Sequence, residues 1–416
     1  MTVRTARLPG GLRVVTESMA DARSVTAGFW VGIGSRDEST DEAGTSHFLE
    51  HLLFKGTDSR SATTIAEAVE AVGGEMNAFT TAEHTAYFVR LPASELALAL
   101  DILSEVVWAP ALRGTDVDAE RRVILEELAM EEDSPEDRVL TLLTEALFPG
   151  HPLGREVLGS RRSIEAMAPE AIGAFHHHWY RPANTVVAVA GDLDHDRVVD
   201  LVQAAQRREG GDAPVRPPPA EPPTPLSVLR RRTEQVHVAL GVRALATNDD
   251  DRFALAVANQ ILGGGTASRL FQSVREERGL AYSVYSYVDA HLDTGALVVY
   301  AGTAPERLAE VLGLLRAGLE RLAVDGPDQR ELAVATGYLA GSTLLGLEDS
   351  AGRMHRIAGS LLLHDEVTPV QDVVERFRQV TAADVARVLT RVLAPTAPSV
   401  AVVGPVTRRT VASALV

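Results

Sequence analysis

The stretch Arg208–Pro225 (REGGDAPVRPPPAEPPTP) limits the fold of this chain more than any other. Its prolines remove amide donors and fix φ, so it suits an extended, semi-rigid spacer and no packed helix or central strand. It divides the 416 residues into parts of domain size, 1–207 and 226–416, with 208–225 as linker. The two parts follow one plan. In the first, strand patterns at Leu12–Glu17 and Ser24–Gly32 precede a helical stretch, a helix at Ala62–Val72, strands at Glu75–Thr80 and Thr85–Leu91, a helix at Ser94–Val107 and one at Ala168–Trp179. A buried strand, Thr185–Ala190, follows and ends at Gly191. In the second, a strand at Val236–Val242, a helix at Asp251–Leu262 and a helix at Ser268–Arg278 precede strands at Ser283–Val288 and Ala296–Gly302. A helix at Pro305–Val324 follows, and Ser399–Gly404 repeats the 185–191 strand with its glycine. This pattern predicts an α+β protein built from two homologous α/β domains, each a sheet with helices packed on it.

Composition narrows the chemistry. There is no cysteine, which excludes disulfides, thiolate metal sites and a cysteine nucleophile, and leaves histidine and carboxylate to hold any metal. A net charge of −17 argues against nonspecific nucleic-acid binding. Lys55 is the only lysine; arginine carries the remaining positive charge, a bias that reads as compositional. No apolar run is long enough to span a membrane, since Asp101 and Glu105 interrupt Leu96–Leu112, and Met1–Arg13 has no signal-peptide pattern. A cytoplasmic location is the expectation.

The most specific stretch is Thr45–Gly56 (TSHFLEHLLFKG). It reads as a helix with Thr45 or Ser46 as cap and Gly56 as stop. His47, Glu50, His51 and Phe54 fall at i, i+3, i+4 and i+7 on one face, with Phe48, Leu49, Leu52 and Leu53 turned to a core. Two histidines one turn apart reach one metal ion, and the glutamate between them reaches a water there, the inverted H-x-x-E-H order. A third protein ligand is needed. The acidic helix pattern Asp118–Asp133, with Val123, Ile124, Leu128 and Met130 as apolar positions, offers Glu120, Glu126, Glu127, Glu131 and Glu132. Consecutive His176, His177 and His178 diverge by about 100° each on a helix and do not converge on an ion. Gly263–Gly264–Gly265 lacks the Lys-Ser/Thr of a phosphate loop and reads as a tight approach to a helix.

Taken together, these motifs resemble the pitrilysin/insulinase family of zinc peptidases along nearly the whole chain, and in particular its short bacterial members related to mitochondrial processing peptidase. The family's ligand glutamate follows the H-x-x-E-H motif by about 76 residues, which selects Glu127, and a second glutamate seven residues earlier matches Glu120. Asn77-Ala78-Phe79-Thr80 resembles a family segment whose edge strand pairs with substrate backbone, so Asn77, Ala78 and Phe79 are implied in substrate binding. Gly263–Phe271 resembles a glycine-rich approach to S-R-L-F, and Arg275 and Tyr282 match a pair that completes the active site. Phe148–Gly154 resembles a family loop in which His151 is structural, and Glu126 stands where some relatives carry arginine.

The resemblance implies one Zn2+ per chain held by His47, His51 and Glu127, Glu50 as general base on the water at the metal, and Glu120 in support. It implies an endopeptidase acting on unfolded peptides or presequence-like segments. A chain of this length supplies half of a clam-shell, so a homodimer with Arg275 and Tyr282 acting in trans is expected. The competing reading is a subunit of a heteromeric processing peptidase, or a non-catalytic structural homologue. The second half has no H-x-x-E-H of its own.

Overall fold

Two mixed β-sheets organise the protein, whose computed structural model describes residues 2–415. The first is built from β1 (Thr2–Arg7), β2 (Arg13–Ser18), β3 (Ser24–Val31), β4 (Glu75–Thr80), β5 (Thr85–Pro92) and β6 (Thr185–Gly191), in the order β1-β2-β6-β3-β5-β4. The second contains β7 (Leu226–Arg230), β8 (Val236–Ala244), β9 (Ala281–Ala290), β10 (Gly295–Thr303) and β11 (Ser399–Gly404), in the order β7-β11-β8-β10-β9. Apart from β1 the two orders are the same. In both, the late strand returns parallel to the first strand of the shared pattern, β6 beside β2 and β11 beside β7, and antiparallel to the next. The inferred duplication is therefore present in the strand order and in the sense of every shared pairing.

The chain divides into two compact units that do not follow it as continuous pieces. The sequence placed the division within 208–225, and that stretch does separate the two sets of strands. Yet unit one also takes residues 345–368 and unit two takes residues 129–155. The cause lies in two amphipathic helices. In the helix Ser350–His364, Met354, Ile357, Ala358 and Leu361 recur at helical spacing and cover the face of the first sheet formed by Val15, Trp30, Ala86, Val186 and Ala188. A Cβ on Gly28 of β3 would lie 2.7 Å from Met354 Sδ, so a side chain there would push the Met354 thioether aside. In the helix Pro135–Leu147, Val139, Leu143 and Leu147 are buried and the helix packs on β8 and β11. Each helix belongs by sequence to one half and by packing to the other, because a sheet buried on both faces needs two covering layers.

Several elements lie outside the sequence expectations: β1, β7, the helices Pro135–Leu147 and His195–Ala205, and four helices between Gln329 and Leu393. The strand β1 is almost wholly exposed and shows no alternation to read. The helix Gln329–Leu345 buries only Ala335 and Ala340 and leaves Val334, Tyr338 and Leu345 exposed, so it has no single apolar stripe. The expected helix at Ser268–Arg278 is shorter and irregular, with a wide-turn segment over Phe271–Glu276. No helix among the described residues is long and apolar enough to cross a membrane.

The three consecutive histidines diverge as helical geometry requires. His176 is buried, whereas His177 and His178 are exposed on the helix Pro169–Trp179. His176 Nε2–H donates to the Val107 carbonyl at 2.9 Å, and its Nδ1 accepts from Arg208 at 3.3 Å. Burial, reinforced by the Arg208 charge, pushes its pKa down to about 3. The unfolded chain binds a proton near pH 6.5 that the folded one refuses, so this site loses stability as pH falls from 6.5 towards 3. Between pH 7.5 and 5 the contribution is about 2 kcal/mol. His176→Gln should lose less unfolding free energy over that interval than the native chain, by about that amount, as read from urea titrations at the two pH values.

Candidate metal centre

The helix Thr45–Leu53 carries His47, Glu50 and His51. Thr45 and Ser46 do not cap it as expected: both are buried inside the first turn, and the residue before them is Gly44, at φ 93°. Glu38 does the capping instead. Its carboxylate accepts from the amides of Gly44 at 2.7 Å and Ser46 at 2.6 Å, where the free N–H groups and the positive end of the helix dipole favour an anion. Phe48, Leu49, Leu52 and Leu53 are all buried, which leaves His47, Glu50 and His51 half-buried on the opposite side. The helix ends at Leu53 with Phe54 as its cap, and Gly56, at φ 118°, turns the chain away.

The helix Gly114–Asp133 runs its apolar period through Val117, Ile124 and Leu128. Val123 and Met130, read as apolar positions of the helix pattern, are 43% and 73% exposed. Glu120 and Glu127 lie on the same arc as Ile124. Of the five candidate glutamates, Glu126 and Glu132 are exposed, while Glu127 comes to the histidines and Glu120 sits behind His51.

Among the described residues, His47, His51 and Glu127 form the one group able to share a metal ion, their ligand atoms lying within 4.8 Å of one another. Glu127 Oε2 is 3.8 Å from His47 Nε2 and 3.6 Å from His51 Nε2. Those separations are too long for hydrogen bonds. They approach the roughly 3.3–3.5 Å between ligands that each stand about 2.0–2.2 Å from a tetrahedral ion. Glu127 Oε2 is buried and has no hydrogen-bond partner among the described residues, a costly state for a carboxylate oxygen that a cation would relieve. Burial, with the His51 charge adding, lowers the His47 pKa to about 4 and keeps its ring neutral, as a ligand must be. His51 Nδ1–H donates to Glu120 Oε2 at 3.0 Å, which fixes the tautomer and leaves Nε2 with its lone pair. Burial tends to raise the Glu120 carboxyl, but hydrogen bonds from Lys55 and His51 outweigh it and hold the group below the usual range. The donor set fits a divalent ion such as zinc.

Glu50 lies between the two histidines, and its Oε2 accepts from Thr80 Oγ1 at 2.6 Å. Burial raises its carboxyl above the ordinary range, against the opposing Thr80 hydrogen bond. Thr80 ends β4, which among the described residues pairs only with β5 and forms the edge of its sheet. Asn77, Ala78 and Phe79 lie on that edge strand. The Phe79 ring turns into an aromatic group with Trp30, His84, Phe88 and His355, so the main chain is what the edge presents.

In the other unit, Arg275 and Tyr282 form a stacked pair, with the guanidinium 4.6 Å from the Tyr282 ring centre and 4.8 Å from that of Phe271. Tyr282 is 78% exposed. Arg269, in the S-R-L-F run, is structural: it grips both carboxylate oxygens of Glu331. His151 Nδ1 accepts from the Leu153 amide within its own turn.

Comparison with known proteins adds the family. Residues 13–161 match the family model described as insulinase (peptidase family M16), and residues 166–336 match the model described as the peptidase M16 inactive domain. The chain is 44% identical to a protein of Streptomyces coelicolor named an uncharacterized zinc protease, over 97% of this chain and 90% of that one. The chain belongs to the insulinase family of peptidases, M16. An uncharacterized zinc protease of Mycobacterium tuberculosis is 46% identical over 92% of this chain and 89% of its own length. Among solved structures, an M16 inactive-domain protein of Pseudomonas fluorescens superposes with a TM-score of 0.91 at 23% identity, covering 98% of this chain and 99% of that one. A Helicobacter pylori protease gives 0.89 at 24%, covering 97% and 99%. These two establish the shared M16 fold. The family's inactive-domain description falls on the part of the chain that lacks an H-x-x-E-H motif.

Sequence reasoning missed the roles of Glu38, Thr80 and Lys55 around this insulinase-family site. Thr80 was visible only as the last residue of the N-A-F-T run. Glu38 had no signal, since it caps a helix that starts seven residues later.

Proposed function

We propose that this chain is a zinc-dependent endopeptidase, holding one Zn2+ through His47 and His51 Nε2 and Glu127 Oε2, that cleaves unfolded peptides or presequence-like segments. The observation that carries the reading is the buried, unpartnered Glu127 Oε2 facing both imidazoles beside a separately held Glu50. Zinc at such a site supplies Lewis-acid polarisation of the scissile carbonyl and lowers the pKa of a water towards about 7. Glu50 takes the proton of the attacking water at the carboxylate oxygen that Thr80 leaves free, and returns it to the departing amine. The open edge of β4 receives the peptide main chain as an added strand, which gives affinity with little demand on sequence. The Arg275 guanidinium and Tyr282 hydroxyl donate to the developing oxyanion. In a homodimer these two come from the partner subunit.

Digestion of a mixed peptide pool by the purified, zinc-loaded chain, read by mass spectrometry, tests the activity. Cleavage should occur with no second protein added, and its absence despite bound zinc would argue for a missing partner. Action in trans is tested by mixing Glu50→Gln with Arg275→Ala subunits, each inactive alone. Mixed dimers should regain about one working site of two; no recovery in verified mixed dimers would sink the trans arrangement.

A further inference from the structure

Of the 40 basic side chains, 39 are arginine and one is Lys55. The exception stands beside the metal centre, two residues past the helix Thr45–Leu53. Its Nζ lies 2.6 Å from Glu120 Oε1, while the other oxygen of the same carboxylate, Oε2, accepts from His51 Nδ1 at 3.0 Å. The Glu120 side chain is 7% exposed, so neither oxygen has ready recourse to solvent. One carboxylate is thus shared between two donors, each limited to one oxygen.

An ammonium suits that division because its charge and donors are gathered on one nitrogen. A guanidinium is a planar fork that frequently takes both oxygens of a carboxylate. Arginine behaves so repeatedly in this protein. Arg269 holds the two oxygens of Glu331 at 2.6 and 2.7 Å, and Arg216 holds those of Asp37 at 2.7 Å each. Arg387 holds both oxygens of Asp251.

We infer that Lys55 is a positioning residue of the metal centre: it fixes Glu120 by one oxygen so that the other stays on His51 Nδ1, and arginine in its place would claim both oxygens and release the His51 ring. The inference rests on the metal reading above, and goes beyond it by making the lysine-for-arginine choice itself functional.

The test measures zinc affinity by competition with a chromophoric chelator for the native chain, Lys55→Arg and Lys55→Ala, with the visible spectrum of the cobalt-substituted proteins alongside. Both variants should bind zinc about 10-fold more weakly or worse, the usual size of effect for a group that orients a ligand histidine. The cobalt bands of Lys55→Arg should move although its charge is conserved. Ethylammonium should restore affinity to Lys55→Ala, and guanidinium should not, an outcome that a general folding defect does not produce. Native zinc affinity and an unchanged cobalt spectrum in Lys55→Arg would overturn the inference and leave the metal site standing. A native chain that binds no zinc would overturn both.

Discussion

Glu50→Gln should retain zinc at the native stoichiometry and lose peptide hydrolysis by about 10^2–10^4-fold, the range for removing a general acid–base group. The separation of the two effects follows from the geometry. The group able to share an ion is His47, His51 and Glu127, and Glu50 is not part of it. Its side chain is held independently by Thr80 Oγ1, a hydrogen bond that the amide oxygen of glutamine can still accept. The substitution conserves shape and removes only the capacity to take up a proton. Metal content by atomic emission and turnover of a quenched fluorescent peptide measure the two quantities on one sample. Normal turnover by a metal-loaded Glu50→Gln protein would remove Glu50 from the mechanism.

Glu127→Ala should have the opposite signature, losing metal and activity together. In the metal-free protein this substitution removes a buried oxygen that has no hydrogen-bond partner among the described residues, so the apo fold should be no less stable. The loss appears when zinc is added. A site that binds only in the folded state stabilises it by about 4 kcal/mol at a free ligand concentration a thousandfold above Kd. The native chain should therefore melt at a higher temperature as zinc is titrated, and Glu127→Ala should not respond. An equal zinc-dependent rise in both proteins would mean that the ion sits elsewhere.

The parts of this site that were legible in sequence are those fixed by local periodicity. His47, Glu50 and His51 share a face because three and four residues make about one helical turn, and that holds before anything is known of the fold. Glu127 was not legible in that way. Periodicity on Gly114–Asp133 left five glutamates open, and only the spacing shared with a family separated Glu127 from its neighbours. Two of the expected apolar positions there, Val123 and Met130, prove exposed, because the buried face of the helix runs through Val117, Ile124 and Leu128. The supporting contacts were silent for another reason. Glu38 to Ser46, Thr80 to Glu50 and Lys55 to Glu120 join residues that local pattern does not bring together, and each depends on how two elements are packed. The plan of the sheets was readable from the repeated order of strands, but an amphipathic helix announces only that it has an apolar face, not which sheet will receive it.

The exchange of covering helices bears on how the chain is made. Synthesis proceeds from the N-terminus, so β6 emerges long before the helix Ser350–His364 that shields Trp30, Val186 and Ala188. At about 5–20 residues per second, that face of the first sheet waits on the order of ten to thirty seconds for its cover. The helix Pro135–Leu147 waits likewise, with Leu143 and Leu147 bare until β8 and β11 have left the ribosome. Apolar surface therefore stands open at both places while the chain is being made, and neither half severed from the other inherits the lid its own sheet requires.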